Sequence, residues 1–91
     1  MKRIYRIYKF ELELKDQQKL LVPDGAKALT AQLQHGKIML WCEVDDAREP
    51  AGYTVDIRGT GHETSTLAYL STVQQGPFVW HVFTSMERSS P

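Results

Sequence analysis

The sequence predicts an all-β protein, a small antiparallel β-sandwich or barrel of six to seven strands. Three observations carry that prediction. Several short segments alternate apolar and polar residues with period two. Turns bearing glycine or proline separate those segments. No window repeats apolar residues at i, i+3, i+4 and i+7 over two helical turns. Short strands with regular turns close either as two packed sheets or as a barrel.

The first strand covers Tyr8 to Lys15, with Tyr8, Phe10, Leu12 and Leu14 on one face and charged residues on the other. Ile4 to Ile7 extends it backwards. Asp16, Gln17 and Gln18 form a polar turn, and Lys19 to Val22 reads as a short return strand. Pro23-Asp24-Gly25 is a turn signal, because proline presets its own φ and glycine accepts positive φ.

Lys27 to Gln34 alternates again, with Leu29, Ala31 and Leu33 inward. His35-Gly36 fits a two-residue hairpin loop of type I′. Such a loop pairs Gln34 with Lys37, which sets Leu33 opposite Ile38, Ala31 opposite Leu40 and Leu29 opposite Cys42. All six are apolar. A slip of one residue would invert every side chain, so turn length and pattern support one another. The other face of this hairpin carries Met39 and Trp41. Two readings stand for that pair: cover by another strand, or an apolar patch that marks a partner surface.

Asp45 to Gly52 is a charged loop. Tyr53 to Arg58 alternates, with Tyr53, Val55 and Ile57 inward and Thr54, Asp56 and Arg58 outward. Leu67 to Gln75 is a further strand, closed by a Gly76-Pro77 turn. Phe78 to Thr84 is apolar on both faces except at His81, as in a central strand covered on both sides. The expected organisation is one β domain over residues 1–85 and a polar, disordered tail over 86–91.

Composition narrows the function classes. Eleven basic residues balance eleven acidic ones, so there is no strong signal for nucleic-acid binding, which rests on surplus positive charge. Locally, Lys2, Arg3, Arg6 and Lys9 give the chain a basic start against an acidic middle at Glu43, Asp45, Asp46 and Glu49. A single cysteine, Cys42, excludes an intrachain disulfide and fits a reducing compartment. No run approaches the about 18 apolar residues of a membrane span, and no apolar stretch follows the basic start as in a signal peptide. These features lead us to expect a soluble intracellular protein with no membrane contact.

Arg58 to Thr66, read as R-G-T-G-H-E-T-S-T, is the one stretch that crowds glycines, hydroxyls, a histidine and an arginine without an apolar residue. Gly59 and Gly61 let the backbone bend so that N–H groups converge on an anion. Arg58 offers a bidentate partner for phosphate or carboxylate, and Thr60, His62 and Thr64 add polar contacts. The alternative is a strand-terminating loop in which a glycine forms a bulge. The stretch lacks the third glycine of a dinucleotide fingerprint and the Gly-Lys-Ser/Thr of a Walker loop.

The other candidate chemistry is weaker. His62, His81 and Cys42 lack the close paired spacings of zinc ligands, so no metal or other cofactor is expected. Ser65, His62 and Asp56 supply the letters of a hydrolytic triad without a nucleophile elbow. Cys42 falls mid-strand on the inward face, as a small core residue. No catalytic residue is assigned, and the chain is expected not to be an enzyme.

Several segments together resemble a family of small bacteriophage and prophage proteins classed as a domain of unknown function. They are MKRIYRIYKFELEL, P-D-G-A-K, Q-L-Q-H-G-K-I-M-L-W, I-R-G-T-G-H and F-V-W-H-V-F, in that order along nearly the whole chain. The resemblance implies a phage or prophage origin and the host bacterial cytoplasm as workplace. The expected function is a non-enzymatic accessory binding protein and homo-oligomer. It would sequester a small phosphate-bearing signal, such as a nucleotide, through Arg58–Thr64, or antagonise a host protein. The alternative is a protein–protein interaction or assembly module acting through Met39 and Trp41.

Overall fold

The computed structural model describes residues 3–89, which form an all-β sandwich of two four-stranded sheets. The strands are β1 (Arg6–Glu11), β2 (Gln17–Pro23), β3 (Lys27–Gln34), β4 (Lys37–Val44), β5 (Pro50–Gly59), β6 (Ala68–Gln75), β7 (Phe78–Thr84) and the two-residue β8 (Glu87–Arg88). The first sheet has the order β1-β4-β3-β8 and the second β2-β5-β7-β6. Every pairing is antiparallel except β3 with β8.

The β3–β4 hairpin has the turn expected for its loop. His35 and Gly36 both take positive φ, 52° and 76°, as a type I′ turn requires. The register from Gln34↔Lys37 to Thr30↔Trp41 is as the sequence pattern predicts. It then departs at Leu29. A bulge between Ala28 and Thr30 shifts the pairing, so Ala28 faces Cys42 and Lys27 faces Glu43. Ala28 and Ala31 therefore both point inward, while Leu29 is only half-buried and Leu33 is exposed. A bulge adds one residue to one strand and reverses the phase of everything beyond it.

A second bulge, between Tyr69 and Ser71, interrupts β6. The two bulged strands meet where the sheets approach each other. There the Ala31 N–H donates to the Ser71 hydroxyl at 2.8 Å across the seam. On the opposite side of the sandwich, β1 and β2 are the end strands of their sheets.

Four expectations are corrected. Leu12 is buried, but the chain bends away after Glu11 and Leu14 is exposed. The segment after the polar turn does not return beside β1; it crosses to the second sheet and pairs with β5. Gln18 secures this crossing: its side chain accepts from the Glu13 N–H at 2.9 Å and donates to the Glu13 carbonyl at 2.7 Å. Strand β7 lies between β5 and β6, but among the described residues no layer covers its outward face. Its outward Phe83 is sheltered by Tyr69, edge to face at a centroid distance of 5.8 Å.

The fourth concerns the expected tail. Met86 is 1% exposed, within the core. The Thr84 hydroxyl accepts from the Met86 N–H at 3.0 Å and donates to the Thr54 carbonyl at 3.1 Å, which turns the chain inward. Glu87 and Arg88 then pair with Lys27 and Ala28. Residues 90–91 of the expected tail lie outside the described residues.

The core contains Leu40, Ala31 and Cys42, each 0% exposed, from the first sheet, facing Val55 and Val82, also 0%, from the second. Burial pushes the Cys42 thiol up to about 12, so it stays protonated and inert at neutral pH.

The basic start and acidic middle of the sequence meet in space. Arg3 contacts Asp45 at 3.3 Å, and Arg6 contacts Asp46 at 2.8 Å. The Tyr8 hydroxyl donates to Asp46 at 2.9 Å, and that bond holds its proton above the ordinary tyrosine range. These pairs are exposed, so each contributes little to stability.

Candidate functional site

Strand β5 leads into the glycine-rich stretch. Gly59 still pairs with Trp80, so the ladder contains no bulge there. The His62 N–H closes a turn on the Gly59 carbonyl at 3.1 Å, with Gly61 at φ 90°. Positive φ at the third residue of such a turn is the requirement that glycine meets. Gly59 serves a different need. A Cβ there would stand 3.3 Å from both the His62 and Trp80 rings, so a side chain would push them apart. The alternative reading of the stretch as a bulge is thus replaced by a tight turn and a close ring contact.

Beyond the turn the loop folds back over the outward side of β5. It encloses a shallow depression of about 440 Å³, whose lining includes Asp16, Gln17, Arg58, His62, Glu63 and Thr64. Of the predicted anion-site residues, Arg58, His62 and Thr64 are brought together here. Gly59, Thr60 and Gly61 do not line it. Thr60 turns elsewhere, to the His81 Nε2 at 2.8 Å. His81 Nδ1 contacts the Thr72 hydroxyl at 3.0 Å, and Thr72 contacts the Tyr69 hydroxyl at 2.6 Å.

The lining also includes Asp56, which the sequence assigns to an outward, polar position. It is outward, yet its side chain is only 5% exposed because the loop covers it. Its carboxylate accepts from Gln17 Nε2 at 3.0 Å, from the Ser65 hydroxyl at 2.6 Å and from Arg58 Nη2 at 3.4 Å. Arg58 also donates through Nη1 to the Asp16 carbonyl at 2.5 Å and to its neighbour's Ile57 carbonyl at 3.3 Å. The Asp16 carbonyl accepts the Ile57 N–H as well, at 3.1 Å.

This arrangement latches two connections to β5. Ser65 holds the glycine-rich loop, and Asp16 with Gln17 holds the crossing from β1 to β2. The guanidinium is engaged with its own chain, and three carboxylates, Asp16, Asp56 and Glu63, line the depression around it. That excess of negative charge opposes an incoming anion.

The remaining candidates are also placed. Ser65 donates directly to Asp56, so no histidine stands between hydroxyl and carboxylate as a hydrolytic relay requires. His62 packs beside Gly59 and Trp80, whereas His81 lies across the ladder from Arg58 and is engaged with Thr60 and Thr72; Cys42 lies in the core.

Met39 and Trp41 alternate along β4 with the buried Ile38, Leu40 and Cys42. They therefore occupy the outward face of the first sheet. The second sheet packs against the other face, and no strand among the described residues lies over this one. Across the ladder, Met39 is flanked by Glu11 and Gln32, and Trp41 by Lys9 and Thr30. These neighbours leave both side chains half-buried.

In comparison with known proteins, the family model for a domain of unknown function, DUF7352, matches residues 3–91. No curated protein and no solved structure matches the chain.

Proposed function

We propose that this chain, which belongs to the DUF7352 family of domains of unknown function, is a binding module that acts on a protein partner. The outward face of its first sheet is the contact surface. The observation that carries the reading is the placement of Met39 and Trp41 at the middle of a sheet face with no layer above them among the described residues. Tryptophan and methionine are enriched at protein interfaces, where a large ring gains most from leaving water. A charged rim of Lys9, Glu11 and Glu43 surrounds the pair, as at interfaces with an apolar centre. In the setting that the resemblance to phage proteins implies, the partner is a host bacterial protein met in the cytoplasm.

The test is affinity capture from bacterial lysate with wild type and Trp41→Ala in parallel. A stoichiometric partner retained by the wild type is expected to fall at least about tenfold on Trp41→Ala, the loss typical of truncating a single interface anchor. Circular dichroism should show the same fold for both. Equal retention by the two proteins would sink the proposal.

A second reading rests on the polar depression beside Arg58, which would hold a small phosphate-bearing ligand. It requires Arg58 to exchange Asp56 for the ligand. Under the leading reading, no cyclic or linear nucleotide raises the melting temperature in a thermal-shift screen. A stabilisation that disappears in Arg58→Ala would put the second reading first.

A further inference from the structure

Strand β1 ends the first sheet, and its outer edge pairs with no strand among the described residues. The Leu12 N–H bonds to the Ile38 carbonyl at 2.9 Å. Antiparallel ladders alternate bonded and non-bonded pairs, so Phe10, Tyr8 and Arg6 also direct their backbone groups at β4. The N–H and C=O of Ile7, Lys9 and Glu11 therefore point away from the sheet, available to another strand. The start of β1 and the residues just before it expose apolar side chains: Ile4 is 60% exposed, Tyr5 57% and Ile7 66%. An edge of this kind is a template for strand addition.

We propose that a second copy of this chain occupies the edge, β1 against β1 in antiparallel register, with the two-fold axis at Ile7. The first sheets of the two copies then become one continuous sheet. The register follows from charge and from the length of overlap: an axis at Phe10 sets Lys9 against Glu11 but pairs only residues 9–11 of β1. Antiparallel partners share a face, so odd residues pair with odd. An axis at Lys9 sets Lys9 against itself, and an axis at Arg6 sets Arg3 against Lys9. An axis at Tyr8 sets Ile7 against Lys9 and Tyr5 against Glu11, without an ion pair. The axis at Ile7 sets Ile7 on Ile7, Tyr5 on Lys9 and Arg3 on Glu11: an apolar centre, a cation over a ring and an outer ion pair, each occurring twice or on the axis. Within one protomer Arg3 and Glu11 make only exposed pairs, with Asp45 and Lys37, each at 3.3 Å. Such pairs exchange at little cost. The pairing draws residues 3–5 into the strand.

The dimer is built on the backbone edge of β1; Ile7, Lys9 and Glu11 share the outward face with Trp41, so the experiment separates the two contacts by their variants. Sedimentation velocity across micromolar to millimolar protein should show a reversible dimer of wild type. Ile7→Lys, which sets like charges on the axis, should weaken it by about tenfold or more, with an unchanged melting temperature at dilutions where both proteins are monomeric. Trp41→Ala should leave it intact. Arg3→Glu and Glu11→Arg should each weaken it, and the double variant should restore it. With Cys42 buried, Ile7→Cys offers one accessible thiol and should cross-link under mild oxidant, whereas Lys9→Cys should not. A wild type that stays monomeric throughout, a dimer indifferent to Ile7→Lys, or cross-linking by Lys9→Cys in place of Ile7→Cys would overturn the proposal.

Discussion

Leu40→Ala is expected to destabilise the domain by about 3–4 kcal/mol, within the range for a leucine removed from a packed core. Leu40 lies at 0% exposure, the bulkiest of the side chains that are fully buried. Its ladder neighbours are Phe10 on β1 and Ala31 on β3, so it sits on the inner face between two paired strands. Ala31 is already small and cannot expand to fill the space. The backbone around Leu40 is held by ladders on both sides, which limits collapse of the cavity. For a domain of this size, 1 kcal/mol moves the melting temperature by roughly 4–8 °C. A fall of about 12–32 °C is therefore expected in calorimetry or in a thermal melt followed by circular dichroism. A shift below about 4 °C would mean that the site relaxes freely, and the packing described for the two sheets would not stand.

The sequence made this core legible in its strands more than in its layers. Period two located β3, β4 and β5, and the His35-Gly36 loop set the hairpin register from Gln34 to Thr30. It failed at Leu29 because A-L-T-A reads equally well in either phase; only packing chooses Ala28 and Ala31 for the seam with β6. Alternation gives the direction of a side chain and not its depth. That is why Leu33, apolar and correctly phased, ends exposed near the end of β3, and why Leu14, in phase with β1 in the sequence, lies exposed beyond the end of that strand. It is also why the crossing of β2 to the second sheet left no trace, since a polar turn can lead to a hairpin or to another layer. Met86 stands between polar neighbours, and nothing local distinguishes it from a tail. The hydroxyl of Thr84 turns it inward, a contact visible only in three dimensions.

The candidate site was legible as a location and misread as chemistry. The glycines mark the turn and the ring contact, and the hydroxyls do cluster. Their acceptor is Asp56, whose outward phase on β5 suggests a solvated carboxylate. The cover over it comes from the loop itself and from Gln17 on β2, a strand paired with β5 from about forty positions earlier in the chain. The β1 edge was likewise readable only as a strand. Its unpaired backbone follows from the sheet order, which alternation cannot supply.

Asp56→Ala is the substitution that separates a latch from a ligand site. The carboxylate gathers Gln17, Ser65 and Arg58, and its loss leaves a serine hydroxyl and an amide without their acceptor and a guanidinium without its counter-charge. Removing one partner of a buried pair costs roughly 3–5 kcal/mol. The Arg58 side chain retains 22% exposure, so water compensates part of that charge and about 2–3 kcal/mol is expected. Ser65→Ala removes a single donor and should cost only about 1 kcal/mol. Denaturant unfolding measures both. Hydrogen exchange over residues 60–67 should accelerate in Asp56→Ala, because the loop loses its anchor while the ladders of β5 stay paired. The same change frees Nη2 of Arg58 and removes one of the negative charges beside it. If Asp56 is a latch, weak phosphate binding should therefore appear or increase in Asp56→Ala. If Asp56 instead helps to build a ligand site, affinity present in the wild type should fall. A cost below about 1 kcal/mol, with exchange in the loop unchanged, would show that the contacts at Asp56 do not hold the loop at all.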